Sequence, residues 1–187
     1  MANNVTIRNF KVSSSGSYWG INTYGTNTVI EDGEVDGGST TDDGVKGVNY
    51  TIRRCHIHHM GGDAFKADNN VRIEACYIHD VGQASGAHGD GVQMMGGTGI
   101  TIIGNNFNLV TGSLNACIFP GGGGSVTNLT VQNNRLNGGG WVVYCSNGIN
   151  MQVLNNVFGP NYSYGAREGT ASVWSGNTWE STGLPCQ

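Results

Sequence analysis

The chain is short of charge, of proline and of leucine, and each shortage removes a class of protein. Only 12% of its 187 residues are Asp, Glu, Lys or Arg, and 37% are hydrophobic. That balance is too apolar for a disordered chain and is enough for a core. No run of Lys or Arg occurs, and the formal net charge is −4. A stripe that tracks phosphates is therefore missing, and nucleic acid is not an expected partner. The apolar runs are a few residues long, too short to cross a bilayer, so no membrane is expected either. Met1-Ala2-Asn3-Asn4 passes into a strand-like segment without a secretory leader. The expectation is a domain cut from a longer chain, with flanking domains removed.

What the chain has in abundance is glycine, at 32 residues, set between short β-branched segments that repeat. Aligning these segments on Ile7, Ile30, Ile52, Ile73, Ile102, Val131, Val153 and Trp174 gives steps of 23, 22, 21, 29, 29, 22 and 21 residues. A period in the low twenties with turn glycines marks a solenoid. A leucine-rich repeat has a similar period, but this chain lacks its leucines. The pattern predicts an all-β fold: one right-handed parallel β-helix of about eight coils, spanning residues 1–187 as a single domain.

Further rows follow from the same alignment. Three residues beyond each anchor stand Phe10, Gly33, Cys55, Cys76, Asn105, Asn134, Asn156 and Asn177. The four asparagines predict a ladder of amide hydrogen bonds from coil to coil, and Asn also tolerates the left-handed turn between strands. Cys55 and Cys76, one coil apart, either bridge or sit as buried thiols; the odd total of five leaves at least one cysteine unpaired. Val12, Val35, Ile57, Ile78, Phe107, Leu136, Phe158 and Trp179 form a second inward row. Ile21, Val45, Phe65, Val92, Ile118 and Val143 form a third, followed by outward Asn22, Lys46, Lys66, Gln93, Phe119 and Tyr144.

The third row carries the chemistry. Asp43-Gly44-Val45-Lys46, Asp63-Ala64-Phe65-Lys66 and Asp90-Gly91-Val92-Gln93 recur in consecutive coils. Stacking puts three carboxylates in one row with two ammonium groups beside them. Like charges at coil spacing repel, so lysines, a cation or a function must offset the cost. The enlarged segment Asp80 to Gly89 directly precedes Asp90 and is expected to overhang this row and bring His88 to it. His56, His58, His59 and His79 read as turn and surface residues rather than ligands. Taken plainly, Asp43 is a turn residue, Lys46 a solvated one, and Trp141 and Tyr144 a cover for the sheet.

The coil pattern resembles the right-handed parallel β-helix superfamily of pectate lyases and related polysaccharide-active proteins. His79-Asp80, His88-Gly89-Asp90-Gly91-Val92-Gln93 and Asn137-Gly138-Gly139-Gly140-Trp141-Val142-Val143-Tyr144 resemble secreted bacterial β-helix repeat proteins. The resemblance implies an extracellular location and a polysaccharide partner. One lyase group of that superfamily uses a lysine base beside calcium held by several aspartates. On that likeness Asp43, Asp63 and Asp90 would hold Ca²⁺, which neutralises a uronate carboxylate. Lys66 would then take the C5 proton in a β-elimination, with His88 as the rival base and Asp90 in the catalytic set. Lys46, Gln93, Trp141 and Tyr144 would hold the sugar. Two other readings stay open: a non-catalytic carbohydrate-binding or adhesion β-helix, and a glycoside hydrolase using Asp63 with Asp90.

Overall fold

A computed structural model describes residues 2–187. Among these residues every regular element is a β-strand of two to seven residues, and no helix is long and apolar enough to cross a membrane. The strands are short because each coil must turn three times around a narrow core. They pair in parallel, coil upon coil, into sheets of nine, eight and seven strands.

The first sheet bears out the anchor row, with Ile7 paired to Ile30 and so on through Ile52, Ile73, Ile102, Val131, Val153 and Trp174. The second sheet pairs Val12, Val35, Ile57, Ile78, Phe107, Leu136, Phe158 and Trp179 in sequence. The third sheet runs through Ile21, Val45, Phe65, Val92, Ile118 and Val143. The central members of all three rows are fully buried and form one core cluster. The solenoid of about eight coils is thus built by the period-two burial of strands whose inner residues are Ile, Val, Leu and Phe.

The asparagine ladder is present, and it does more than link side chains. The Nδ2 groups of Asn105, Asn134 and Asn156 each donate at 3.0 Å to the Oδ1 of the next asparagine, ending on Asn177. Each Oδ1 also accepts a backbone N–H from the coil before, such as Asn105 N–H to Asn134 at 2.9 Å. The second amide hydrogen reaches back to Ile73, Ile102, Val131 or Val153 carbonyls. The left-handed turn residue, however, is one position earlier than the ladder. Asn9, Asp32, Arg54, Ala75, Gly104, Asn133, Asn155 and Gly176 all have φ between 51° and 68°. The ladder asparagines are buried because the bend before them aims their amides inward. Cys55 and Cys76 continue this row as buried free thiols, so of the two alternatives the bridge is not formed. Their thiols point at the Arg53 and Glu74 carbonyls, each at 3.3 Å.

Candidate functional site

The third sheet places the Asp/Lys row on its outer side. Its strands include Trp19–Thr23, Asp43–Gly47, Phe65–Ala67, Gly89–Met94, Leu114–Pro120, Trp141–Tyr144 and Gly165–Glu168. A Cβ added at Gly44 would meet Ile57 Cγ2 at 2.9 Å, and one at Gly91 would meet Phe107 Cδ1 at 2.7 Å. Those two positions face the core at the corner between the second and third sheets, and only glycine fits there. Asp43 and Asp90, one residue earlier, therefore face away from the core. They are buried all the same: Asp43 is 1%, Asp63 4% and Asp90 0% exposed.

Lys66 is the member of this group that reaches solvent. Its ammonium lies 2.8 Å from Asp43 Oδ1 and 3.5 Å from Asp63 Oδ2, with the side chain 23% exposed. Burial pulls the Lys66 pKa down, but the two carboxylates outweigh it and leave the value raised. Burial raises Asp43 against the opposing pull of Lys66. Burial also pushes Asp63 up to about 7, although its Oδ1 accepts the Asp90 N–H at 2.8 Å. Asp90, buried beside Asp63, is pushed up to about 9 even though Asn115 Nδ2 donates to it at 3.0 Å. At neutral pH the row therefore carries a protonated Asp90 and a charged lysine.

These carboxylates do not fit a calcium ion as they stand. Calcium wants six to eight converging oxygens with charged carboxylates among them. Here the Lys66 ammonium occupies the space between Asp43 and Asp63 that a cation would need. Among the described residues, the groups whose ligand atoms converge within 4.8 Å all contain histidine, and this row is not one of them.

Around the row lies an open, amphipathic face. Lys46 Nζ sits 5.1 Å from the centre of the Trp19 ring. Trp19 pairs with Asp43 in register, so it heads the row; its place two residues before Ile21 was the signal in the sequence. Lys66 pairs with Gln93, which pairs with Phe119. Phe119 and Tyr144 meet edge to face at 5.0 Å, and Trp141 lies 5.7 Å from Tyr164. Trp19 to Trp141 spans five coils, about 24 Å at the usual strand spacing. Lys46, Lys66, Gln93, Trp141 and Tyr144 thus share one face.

His88 stands two residues before Asp90, is exposed, and hydrogen-bonds no member of the row among the described residues. Its loop lies back on the preceding coil, where Gly82 and Gln83 N–H groups donate to Gly62 and Met60 carbonyls at 2.8 and 3.0 Å. Of the other histidines, His59 is a half-exposed turn residue with φ at 51°, whereas His56, His58 and His79 lie on strands. His56 and His58 lie on one strand of the second sheet and His79 on the next, and His58 is only 6% exposed. Burial and the neighbouring His58 and His79 hold the His56 pKa below its usual value.

Comparison with curated proteins and with solved structures gives no match. The family described as the right handed beta helix region matches residues 1–178, in agreement with the stacked parallel coils, and the chain belongs to it.

Proposed function

We propose that the outer face of the third sheet binds an acidic polysaccharide and that the chain cleaves it by β-elimination. The observation that carries the reading is Lys66. Its ammonium is held at the surface by two buried carboxylates, in line with Lys46 and Gln93 and between the aromatic groups of Trp19 and Phe119/Tyr144. Aromatic faces suit sugar rings, and fixed ammonium groups suit uronate carboxylates. Because Asp90 keeps its proton at neutral pH and burial lifts Asp63 to about 7, the row carries at most two negative charges against the two lysines.

In this reading Lys66 faces the uronate carboxylate and makes the C5 proton more acidic. That is a change from base to electrostatic partner, because a lysine whose proton is held by Asp43 and Asp63 is a poor base. His88, exposed and two residues before Asp90, is assigned the C5 proton on its chemistry alone, since no hydrogen bond among the described residues ties it to the row. The C4–O4 bond breaks, a C4–C5 double bond forms, and the departing oxygen takes a proton from solvent. Asp43, Asp63 and Asp90 position Lys66. The hydrolase reading has less support, since Asp63 and Asp90 stand in one row on one wall, whereas hydrolysis needs carboxyls flanking the bond. An extracellular location goes with such a substrate.

The test is ultraviolet absorbance of the unsaturated product on polygalacturonate, alginate and hyaluronan, with and without EDTA. The expected result is product on at least one polymer, unaffected by EDTA, and a loss of at least about 100-fold in His88→Ala with binding retained. Binding without product on any polymer refutes elimination and leaves a carbohydrate-binding protein. Neither binding nor product overturns the assignment of this face.

A further inference from the structure

The outer face of the second sheet carries a histidine cluster that glycan binding does not use. Strands Glu34–Asp36, His56–His58 and Tyr77–His79 stack in parallel. Glu34, His56 and Tyr77 make one outward row, and Asp36, His58 and His79 the next. Ile57 and Ile78 between them fill the core at 0% exposure, which fixes the strands and so the direction of the imidazoles.

The rings converge. His56 Nε2 and His79 Nε2 are 2.6 Å apart. The His58 ring stacks on His56 with centroids 4.1 Å apart and lies 5.3 Å from His79. His56, His58 and His79 each offer a nitrogen within 4.8 Å of the others. Carboxylates stand behind them. Asp80 Oδ2 is 2.7 Å from His79 Nδ1, and Thr111 Oγ1 holds the other Asp80 oxygen at 2.5 Å. Glu34 Oε1 is 3.0 Å from His58 Nε2 and His59 Nδ1 is 2.9 Å from His58 Nδ1, so His58 gives up one of these contacts when it takes a cation.

Chemistry then narrows the choices. His79 donates its Nδ1–H to Asp80, so the neutral ring presents a lone pair at Nε2, toward His56. A carboxylate that fixes the tautomer and raises the basicity of the far nitrogen is the usual backing of a metal-binding histidine. Two nitrogens on a tetrahedral zinc lie about 3.3 Å apart for bonds near 2.05 Å. His56 and His79 need to part by about 0.7 Å to accept one, a small rotation for two half-buried rings at the surface. Imidazole donors select zinc, copper or nickel over calcium and magnesium.

We propose that His56, His58 and His79 form a binding site for a divalent transition-metal cation of the zinc type, with Asp80 orienting His79. The site lies on a different sheet from the lysine face and does not depend on the polysaccharide reading. Asp36, His58 and His59 form a neighbouring set that shares His58, but there His59 Nδ1 meets the Asp36 carboxylate directly, at 3.2 Å.

Calorimetric titration of the untagged chain with zinc chloride tests this. The expected result is one saturating zinc per chain at micromolar concentration, with a rise in Tm. His79→Gln and His56→Gln should each weaken binding at least about tenfold, and Asp80→Asn by about 10- to 100-fold, with far-ultraviolet circular dichroism unchanged. His59→Gln should leave binding within about threefold of the original. Two results overturn the proposal: no saturable binding of zinc below the millimolar range, or loss in His59→Gln and Asp36→Asn with none in His79→Gln.

Discussion

Replacing Asn134 by alanine should be among the most damaging single changes in the chain. Asn134 Oδ1 accepts the backbone N–H of Asn105 at 2.9 Å and its side-chain amide at 3.0 Å. Its own Nδ2 donates to the Ile102 carbonyl and to Asn156 Oδ1 at 2.9 and 3.0 Å. Removing it strips the Asn105 N–H of its partner and leaves one Asn105 amide hydrogen unpaired. Both are buried, since Asn105 is 2% exposed. A buried unsatisfied group costs about 1–3 kcal/mol, so the total is about 3–5 kcal/mol, a large share of the ~5–15 kcal/mol that a domain has. Urea unfolding followed by tryptophan fluorescence reads this as a midpoint lowered by on the order of 2 M. Asn106→Ala, at the exposed neighbour, should stay within about 0.5 kcal/mol. A cost below about 1 kcal/mol for Asn134→Ala would refute the view that the ladder satisfies the backbone at these bends.

Other expectations follow from the same physics. Ala75 holds φ at 51° in the left-handed turn row, a conformation costly for a residue with a Cβ. Ala75→Gly should therefore raise stability by about 0.5–1 kcal/mol, and a drop in Tm contradicts the reasoning. Asp90 has its folded pKa raised to about 9. A raised carboxyl stabilises the fold below its unfolded pKa, near 4, and that contribution is lost as pH climbs toward 9. Asp90→Asn should therefore gain on the wild type between pH 7 and 10, by on the order of a few kcal/mol, as measured by Tm against pH. An unchanged difference across that range contradicts a neutral Asp90. Lys66→Met leaves Asp43 and Asp63 without their cation and should cost about 2–3 kcal/mol, while Lys66→Arg should cost less than half of that. Equal losses in urea titrations of the two variants would show that packing, not charge, is what Lys66 supplies.

Much of this fold is legible in the sequence because parallel coils stack like on like. Once Ile7 and Ile30 align, the register of every later row follows, down to Trp174 and Trp179. The asparagine row is legible for the same reason. The turn is not: Arg54 and Ala75 sit in left-handed conformations that neither residue type advertises, so the sequence pattern puts the bend one residue late, at the ladder itself. The Asp43/Asp63/Asp90 row is visible as a repeat, but its burial is not, because that depends on corner glycines packing against Ile57 and Phe107. The closeness of Asp43 and Asp63 to the ammonium, working against the pull of burial, is what keeps the Lys66 proton in place. Trp19 is hard to see in the sequence because its coil has no aspartate to mark the row. The histidine cluster is not legible in the sequence because its closeness comes from two strands and the turns after them, and the fold alone brings Asp80 behind His79.

The central claim is that the lysine face of the third sheet is where the polymer lies, and a structure of the chain with a uronate hexamer tests it most directly. The expected result is a chain of sugars running across the coils, with a carboxylate within hydrogen-bonding distance of Lys66 Nζ and rings against Trp19 and Tyr144. A hexamer seated on the histidine face of the second sheet, or none bound at saturating concentration, would contradict it.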